Sequence, residues 1–187
     1  MNQPTTDGRR AKGLRRRRAL IEATLRVIER EGVAGVSHRT VSREAGLPTS
    51  ATTYYFTGLG DLLTAALTTV MEEDSERMRQ LSSEGDRRRE LALLLSEVAK
   101  EPGRLLAEYE LFLLAARQPH LRSATDGWLG AVSAFARCYT DDPVRARIVA
   151  GAIDGLLLHS LLTDKKPNAA EFEAILFDLL PLRDEHS

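Results

Sequence analysis

Apolar positions recur at three- and four-residue spacings in one segment after another, the pattern of helices with one buried face. Leu14, Ile21, Leu25 and Ile28 form a first stripe, widened by Ala23 and Val27. It predicts a helix from about Leu14 to Glu31, stopped by Gly32. A second long stripe, Leu62, Leu63, Ala66, Leu67, Val70 and Met71, follows Phe56 and fades into a charged end. Asp86 opens a helix with Leu91, Leu94, Leu95 and Val98 inward. Pro102 opens another through Arg117, dominated by Leu105, Leu106, Tyr109, Phe112 and Leu113. Pro119 opens a third to about Tyr139, with Leu121, Trp128, Leu129, Val132 and Phe135. The segment 143–163 is apolar nearly all round and is expected to be buried on several sides, and residues 168–182 form a last amphipathic helix.

Between the first two stripes the periodicity shortens, in residues 35–56, GVSHRTVSREAGLPTSATTYYF. Ser37 is a good N-cap, and Val36 and Val41 have the spacing of a hydrophobic staple. Val41 and Ala45 share a face, and Gly46 falls where a helix turns out through a left-handed residue. Pro48 suits the first turn of a second short helix running to about Phe56. That helix carries Thr49, Ser50, Thr52, Thr53, Tyr54 and Tyr55, all polar or amphipathic and none charged. Such a surface fits a DNA major groove and offers hydroxyls to base edges and phosphates. The stretch therefore reads as a helix-turn-helix, with an ordinary αα-hairpin in a helical core as the alternative.

Charge tilts the balance towards DNA. The 187 residues carry a net charge of −1, but residues 1–46 hold 11 Lys/Arg against 5 Asp/Glu, and the remainder 15 against 22. A basic first quarter on an acidic remainder points one end at a polyanion. Its densest run is Arg9, Arg10, Lys12 and then Arg15, Arg16, Arg17 and Arg18. Residues 1–13 are expected to be disordered in isolation, as a solvated tail or as an arm following the phosphate backbone. No signal peptide or bilayer-length apolar run is visible, and the single Cys138 leaves no internal disulfide, so a cytoplasmic location without membrane attachment is expected.

Residues 15–67 resemble the DNA-binding domain of the TetR family of bacterial transcriptional regulators. The resemblance rests on Ala23, Gly32, Gly35, Ser37, Val41-Ser42, Ala45-Gly46-Leu47-Pro48, Tyr54-Tyr55-Phe56 and Leu62-Leu63. It implies an all-α fold of about nine helices. A basic arm over 1–13 and a helix-turn-helix head over 14–60 would precede a ligand-binding and dimerisation body over 61–187. It also implies that Arg39, Thr49, Ser50 and Thr53 read bases and that Ser37, His38, Tyr54 and Tyr55 contact phosphates. The basic residues Arg15 and Arg16 add to that DNA-binding set. Leu59 stands where the family usually has a lysine, and Thr52 replaces a usual core leucine, which is expected to loosen packing behind the second helix.

For the body, the resemblance implies a homodimer. Ile148, Gly151, Gly155, Leu156, Phe172, Ile175 and Leu179 are the expected interface, against the alternative of an intrachain core. Tyr109, Phe112, Trp128 and Phe135 are candidate lining for an apolar or aromatic small-molecule effector, with Asp154 and His159 as polar exceptions. The charged run at 72–77 reads as a solvated helix face. Four scattered histidines, a lone cysteine and no Gly-rich phosphate loop offer no enzyme, metal or cofactor motif. The expected function is a homodimeric repressor that leaves double-stranded operator DNA when an effector binds. The alternatives are an effector-independent regulator or activator whose body only dimerises, and a helical adaptor that binds no DNA.

Overall fold

Helix α1 (Thr6–Glu31) starts well before Leu14, so residues 6–13, expected to be disordered, are helical. The reason is that Arg, Ala and Lys are strong helix formers, and extending a helix already nucleated by packing costs little. The structure is a computed structural model, and it describes residues 6–81, 86–164 and 166–182; the first five residues of the expected arm lie outside that range. Leu14, placed on the buried stripe by spacing, is 62% exposed, and Leu20 is fully buried. Gly32, at φ 71°, ends α1, and a 3-10 turn (Val33–Gly35) follows.

Helix α2 (His38–Glu44) is N-capped by Ser37, whose hydroxyl accepts from the Thr40 N–H in a reciprocal capping box. Gly46, at φ 64°, turns the chain into α3 (Thr49–Tyr55), with Pro48 at its N-cap rather than inside its first turn. Then come α4 (Leu59–Arg79), α5 (Arg87–Val98), α6 (Pro102–Arg117), α7 (Asp126–Arg137), α8 (Pro143–Leu162) and α9 (Ala169–Leu179). The helix expected from Pro119 to Tyr139 is instead a 3-10 turn (Pro119–Ala124) followed by α7. The described residues thus form nine α-helices and no strand, the all-α architecture that the pattern implies.

Two apolar cores divide the molecule. The first joins Leu20, Ile28, Val41 and Phe56 of the head to Leu62 and Leu67 of α4 and Leu111 of α6. The second joins Leu91, Leu95, Phe135, Ile153, Phe172 and Leu176. Trp128 packs against both. The head is therefore not a free module, because its core continues onto α4 and α6.

Two expectations for the body are corrected by burial. Helix α8 buries Ala146, Val149, Ile153 and Leu157 on one side only, while Val144, Ile148, Leu158 and Leu162 are exposed on the other. Phe172, placed at a dimer interface by the family resemblance, has no exposed surface: it fills the second core, out of reach of a second chain. Ile175 and Leu179 are half-buried, as are Gly155 and Leu156, and Gly151 is open to solvent. A Cβ at Gly151 or Gly155 would meet nothing within 4 Å.

Candidate functional site

The residues expected to meet DNA lie on α1, on α2 and its cap, and on α3, and none of them is fully buried. Arg39 of α2 and Thr49, Ser50 and Thr53 of α3 are exposed, as are Arg15 and Arg16 of α1, and Ser37, His38 and Tyr55 are half-buried. Tyr54 is 80% exposed, an aromatic left in water beside the Tyr55 ring, which it meets edge-on at 4.8 Å. Helix α2 is braced from behind by Glu44, which accepts from Arg26 at 2.8 Å and Arg30 at 3.1 Å. Those two guanidinium hydrogen bonds hold the Glu44 carboxyl below its usual range.

Thr52 does not loosen the head as the family comparison of that position suggests. It is fully buried, and its hydroxyl donates to the Thr49 carbonyl at 2.8 Å. That uses its one proton, so at 2.9 Å the Nδ1 of His38 is the donor to the same oxygen. A polar bridge between α2 and α3 takes the place of leucine packing. Arg17, not singled out by spacing, lies over the Phe56 ring at 5.0 Å and seats α1 against the end of α3. Gly13 does the same from the preceding turn, where a Cβ would sit 3.8 Å from the Tyr55 hydroxyl.

A cavity of about 60 Å³ lies in the body between α4, α5, α6, α7 and α8. Its walls are apolar and aromatic, with Tyr109, Phe112 and Trp128 among them as expected. Asp154 also lines it, and the Tyr109 hydroxyl donates to the Asp154 carbonyl at 2.7 Å, tying α6 to α8. Two expected residues lie elsewhere. Phe135 is buried in the second core against Tyr139, and His159 is exposed on α8. Both carry the right chemistry on the wrong helix face, which a sequence position alone does not orient.

Three lining residues were invisible to the motif reading. Asp74 and Arg77 belong to the charged run at 72–77, which was expected to be a solvated face. Their signal was the spacing from Leu67, Met71 and Ser75, which continues the buried stripe of α4. Glu108 stands next to Tyr109 and one turn before Phe112, among the residues of α6 that line the cavity. Its carboxylate accepts from Arg104 at 2.9 Å, and Arg104 reaches Glu73 of α4 at 3.2 Å. Burial pushes the Glu108 carboxyl up to about 7, with the nearby Asp74 charge adding to the rise and Arg104 opposing it. Burial likewise raises Asp74 against the pull of Arg77 and Arg104, and raises Asp154 against a hydrogen bond from Trp128.

A helix-turn-helix joined through shared core to a helical body is the architecture of a DNA-binding regulator. Comparison with known proteins gives the family. Residues 82–182 match the model of the tetracyclin repressor-like C-terminal domain. The multidrug binding protein EbrR, solved in complex with ethidium, is 37% identical, with 89% of this chain and 99% of that chain covered and a TM-score of 0.74. A member of the TetR family from Streptomyces coelicolor A3 is 37% identical over the same shares, with a TM-score of 0.79. Among curated proteins, the nicotine-responsive transcriptional repressor HdnoR of Paenarthrobacter nicotinovorans is 30% identical over 56% of this chain and 57% of its own length. The chain belongs to the TetR family of transcriptional regulators. It is a DNA-binding regulator and not an enzyme. No helix among the described residues is long and apolar enough to cross a membrane.

Proposed function

We propose that this regulator is a cytoplasmic homodimeric repressor that leaves its operator when a lipophilic aromatic cation enters the cavity. The observation that carries this reading is the lining of that cavity, where Asp74, Glu108 and Asp154 stand among Tyr109, Phe112 and Trp128. Apolar walls supply the burial of a hydrophobic body, and the carboxylates supply selection for positive charge. This refines the expectation of an apolar or aromatic effector. EbrR, described as multidrug binding and complexed with ethidium, is consistent with it, ethidium being a planar cation.

The signal path follows from the helices that hold the three carboxylates. They sit on α4, α6 and α8, and α4 starts directly behind the end of α3. A cation drawing α4 inward would change the separation of the two reading helices in a dimer, moving them off half-sites about 34–36 Å apart. The ligand need only prefer the off-DNA arrangement by a few kcal/mol. In the on-DNA state Arg39, Thr49, Ser50 and Thr53 read base edges. Ser37, His38, Tyr54, Tyr55, Arg15 and Arg16 hold phosphates.

The test uses the one tryptophan of the chain as reporter, since Trp128 is on the cavity wall. Tetraphenylphosphonium should quench Trp128 and release the protein from a duplex selected out of a random pool. Tetraphenylborate, of the same shape and opposite charge, should do neither. If both ions bind equally, the carboxylates do not select charge and the reading fails. On the selected duplex, Arg39→Ala should lose about 1–3 kcal/mol of binding while random-sequence binding is kept. Equal losses on both duplexes would assign Arg39 to the backbone.

The apolar face of α8 supports the dimer. Val144, Ile148, Leu158 and Leu162 lie in water beside Gly151, an unusual cost for a chain that functions alone. With Gly155, Leu156, Ile175 and Leu179 they make the proposed interface. Because a side chain at Gly151 meets nothing within its own chain, Gly151→Glu should leave the folded chain intact and even gain about 0.5–1 kcal/mol of helix stability. In sedimentation the wild type should run as a dimer and the variant as a monomer; a variant that still dimerises would move the interface off α8.

A further inference from the structure

The 3-10 turn Val33–Gly35 opens the reading head, yet its N-cap residue, Gly32, has no side chain to accept from its first amides. The missing acceptor comes from 77 residues away: Val33 N–H donates to Glu110 Oε2 at 2.6 Å. Glu110 belongs to α6, the helix that lines the cavity with Glu108, Tyr109 and Phe112. Gly32 is shaped for this contact. A Cβ there would sit 3.2 Å from both Glu110 oxygens, and its φ of 71° already disfavours any side chain.

From Val33 the connection runs onward by short hydrogen bonds. The turn closes through Gly35 N–H to the Gly32 carbonyl at 3.0 Å and Val36 N–H to the Val33 carbonyl at 3.1 Å. Thr40 of α2 then donates its hydroxyl to the Gly35 carbonyl at 2.8 Å and accepts from Ser37 N–H at 2.9 Å. Ser37, His38 and Arg39 thus stand on a turn whose first amide is held by the cavity helix. We propose that Glu110 is the positioning residue through which α6 holds the reading head at its DNA-competent angle, and through which a cation at Glu108 loosens it. The second half of that statement rests on the effector reading above; the first does not. Glu108 and Glu110 are two residues apart on one rigid helix, so a shift of α6 towards a bound cation displaces the Glu110 carboxylate by a similar distance. A charge-assisted hydrogen bond does not tolerate that displacement unchanged.

The experiment compares full-length wild type, Glu110→Ala and Glu110→Gln. It measures binding to the wild type's selected duplex and to a random duplex, with and without tetraphenylphosphonium, and amide exchange at Val33. Glu110→Ala should bind the selected duplex about tenfold more weakly, as expected when the competent orientation falls to a minor share of the population. It should bind the random duplex unchanged and exchange Val33 faster. Glu110→Gln keeps an acceptor oxygen and should recover most of the affinity. In Glu110→Ala the cation should weaken DNA binding less than it does in wild type. Wild-type affinity in Glu110→Ala overturns the proposal. So does a loss in Glu110→Gln as large as in Glu110→Ala while Val33 stays protected. If the cation leaves wild-type binding unchanged but Glu110→Ala still weakens it, the effector reading falls and the role of Glu110 in holding the head stands.

Discussion

The affinity of the cavity for tetraphenylphosphonium is expected to rise about tenfold between pH 6 and pH 8, tracking ionisation of a carboxyl that titrates near neutrality. That carboxyl is Glu108, held up to about 7 chiefly by burial. The groups that face it are Asp74 and Arg77 of α4, Arg104 of its own helix and Asp154 of α8. No histidine lines the cavity, so Glu108 is the lining group placed to change charge across this range. The sign for stability is opposite to that for binding. A carboxyl raised above its unfolded value stabilises the fold at low pH, and that contribution is lost as pH rises through about 7. The ligand-free protein should therefore melt lower at pH 8 than at pH 6, and the cation should raise the melting temperature more at pH 8. Glu108→Gln should flatten both profiles and cost about 1.5–3 kcal/mol of cation binding at pH 8. Trp128 titrations and melts at the two pH values decide this; a tenfold rise that persists in Glu108→Gln would move the titration to another group.

The largest loss of stability is expected at Arg88. This arginine is 4% exposed and closes the end of the body. Its Nη1 donates to the Leu180 carbonyl at 2.6 Å, and its Nε donates to Asp86, the N-cap of α5, at 2.9 Å, with a further bond from Nη2. The guanidinium lies over the Phe177 ring at 4.0 Å and near Tyr139 at 5.2 Å. Arg88→Ala strands a buried carbonyl, leaves the Asp86 charge without its partner and opens a hollow between α5 and α9. The expected cost is about 3–5 kcal/mol, read from urea unfolding. Arg88→Lys should recover little of it, because an ammonium has no planar fork to serve both partners and stack on the ring. Asp86 is held below the usual carboxylate range mainly by its hydrogen bonds to Arg88. The stability it contributes is present above its unfolded value and lost as pH falls, and that acid sensitivity should shrink in Arg88→Ala, where only the capping backbone N–H of residue 88 and the Arg89 charge still favour the ionised carboxyl. A cost below about 1 kcal/mol would show that α9 is held by its apolar face alone.

Much of the local structure was legible along the chain because its causes are local. Ser37 caps α2, Gly32 and Gly46 take the left-handed turns, and the apolar stripe of α4 falls where its spacing puts it, whereas Leu106 and Leu113 of α6, expected on the apolar face, are exposed. The exposure of Arg39, Thr49, Ser50 and Thr53 was legible for a similar reason, since polar residues on short helices flanked by the Ser37 cap and the Gly46-Leu47-Pro48 turn stay in water. Local spacing failed where the deciding contact was remote. It could not tell that Phe135 and Phe172 turn into the second core while Phe112 turns into the cavity, because one apolar residue fits either place. It read Asp74 as solvated, because the helix that covers it lies more than thirty residues away in sequence. It took Thr52 for a defect, because the compensating His38 donor is on another helix.

Sequence alone therefore determined the all-helical class and the short helices of the reading head, for these depend on capping, turns and periodicity within a few residues; the family was legible as a resemblance of motifs over residues 15–67. The tertiary structure alone decided the acidic character of the cavity, the one-sided burial of α8 and the link from Glu110 to Val33. Each is a balance of desolvation and hydrogen bonding between groups far apart in the chain, which exists only once the helices have packed.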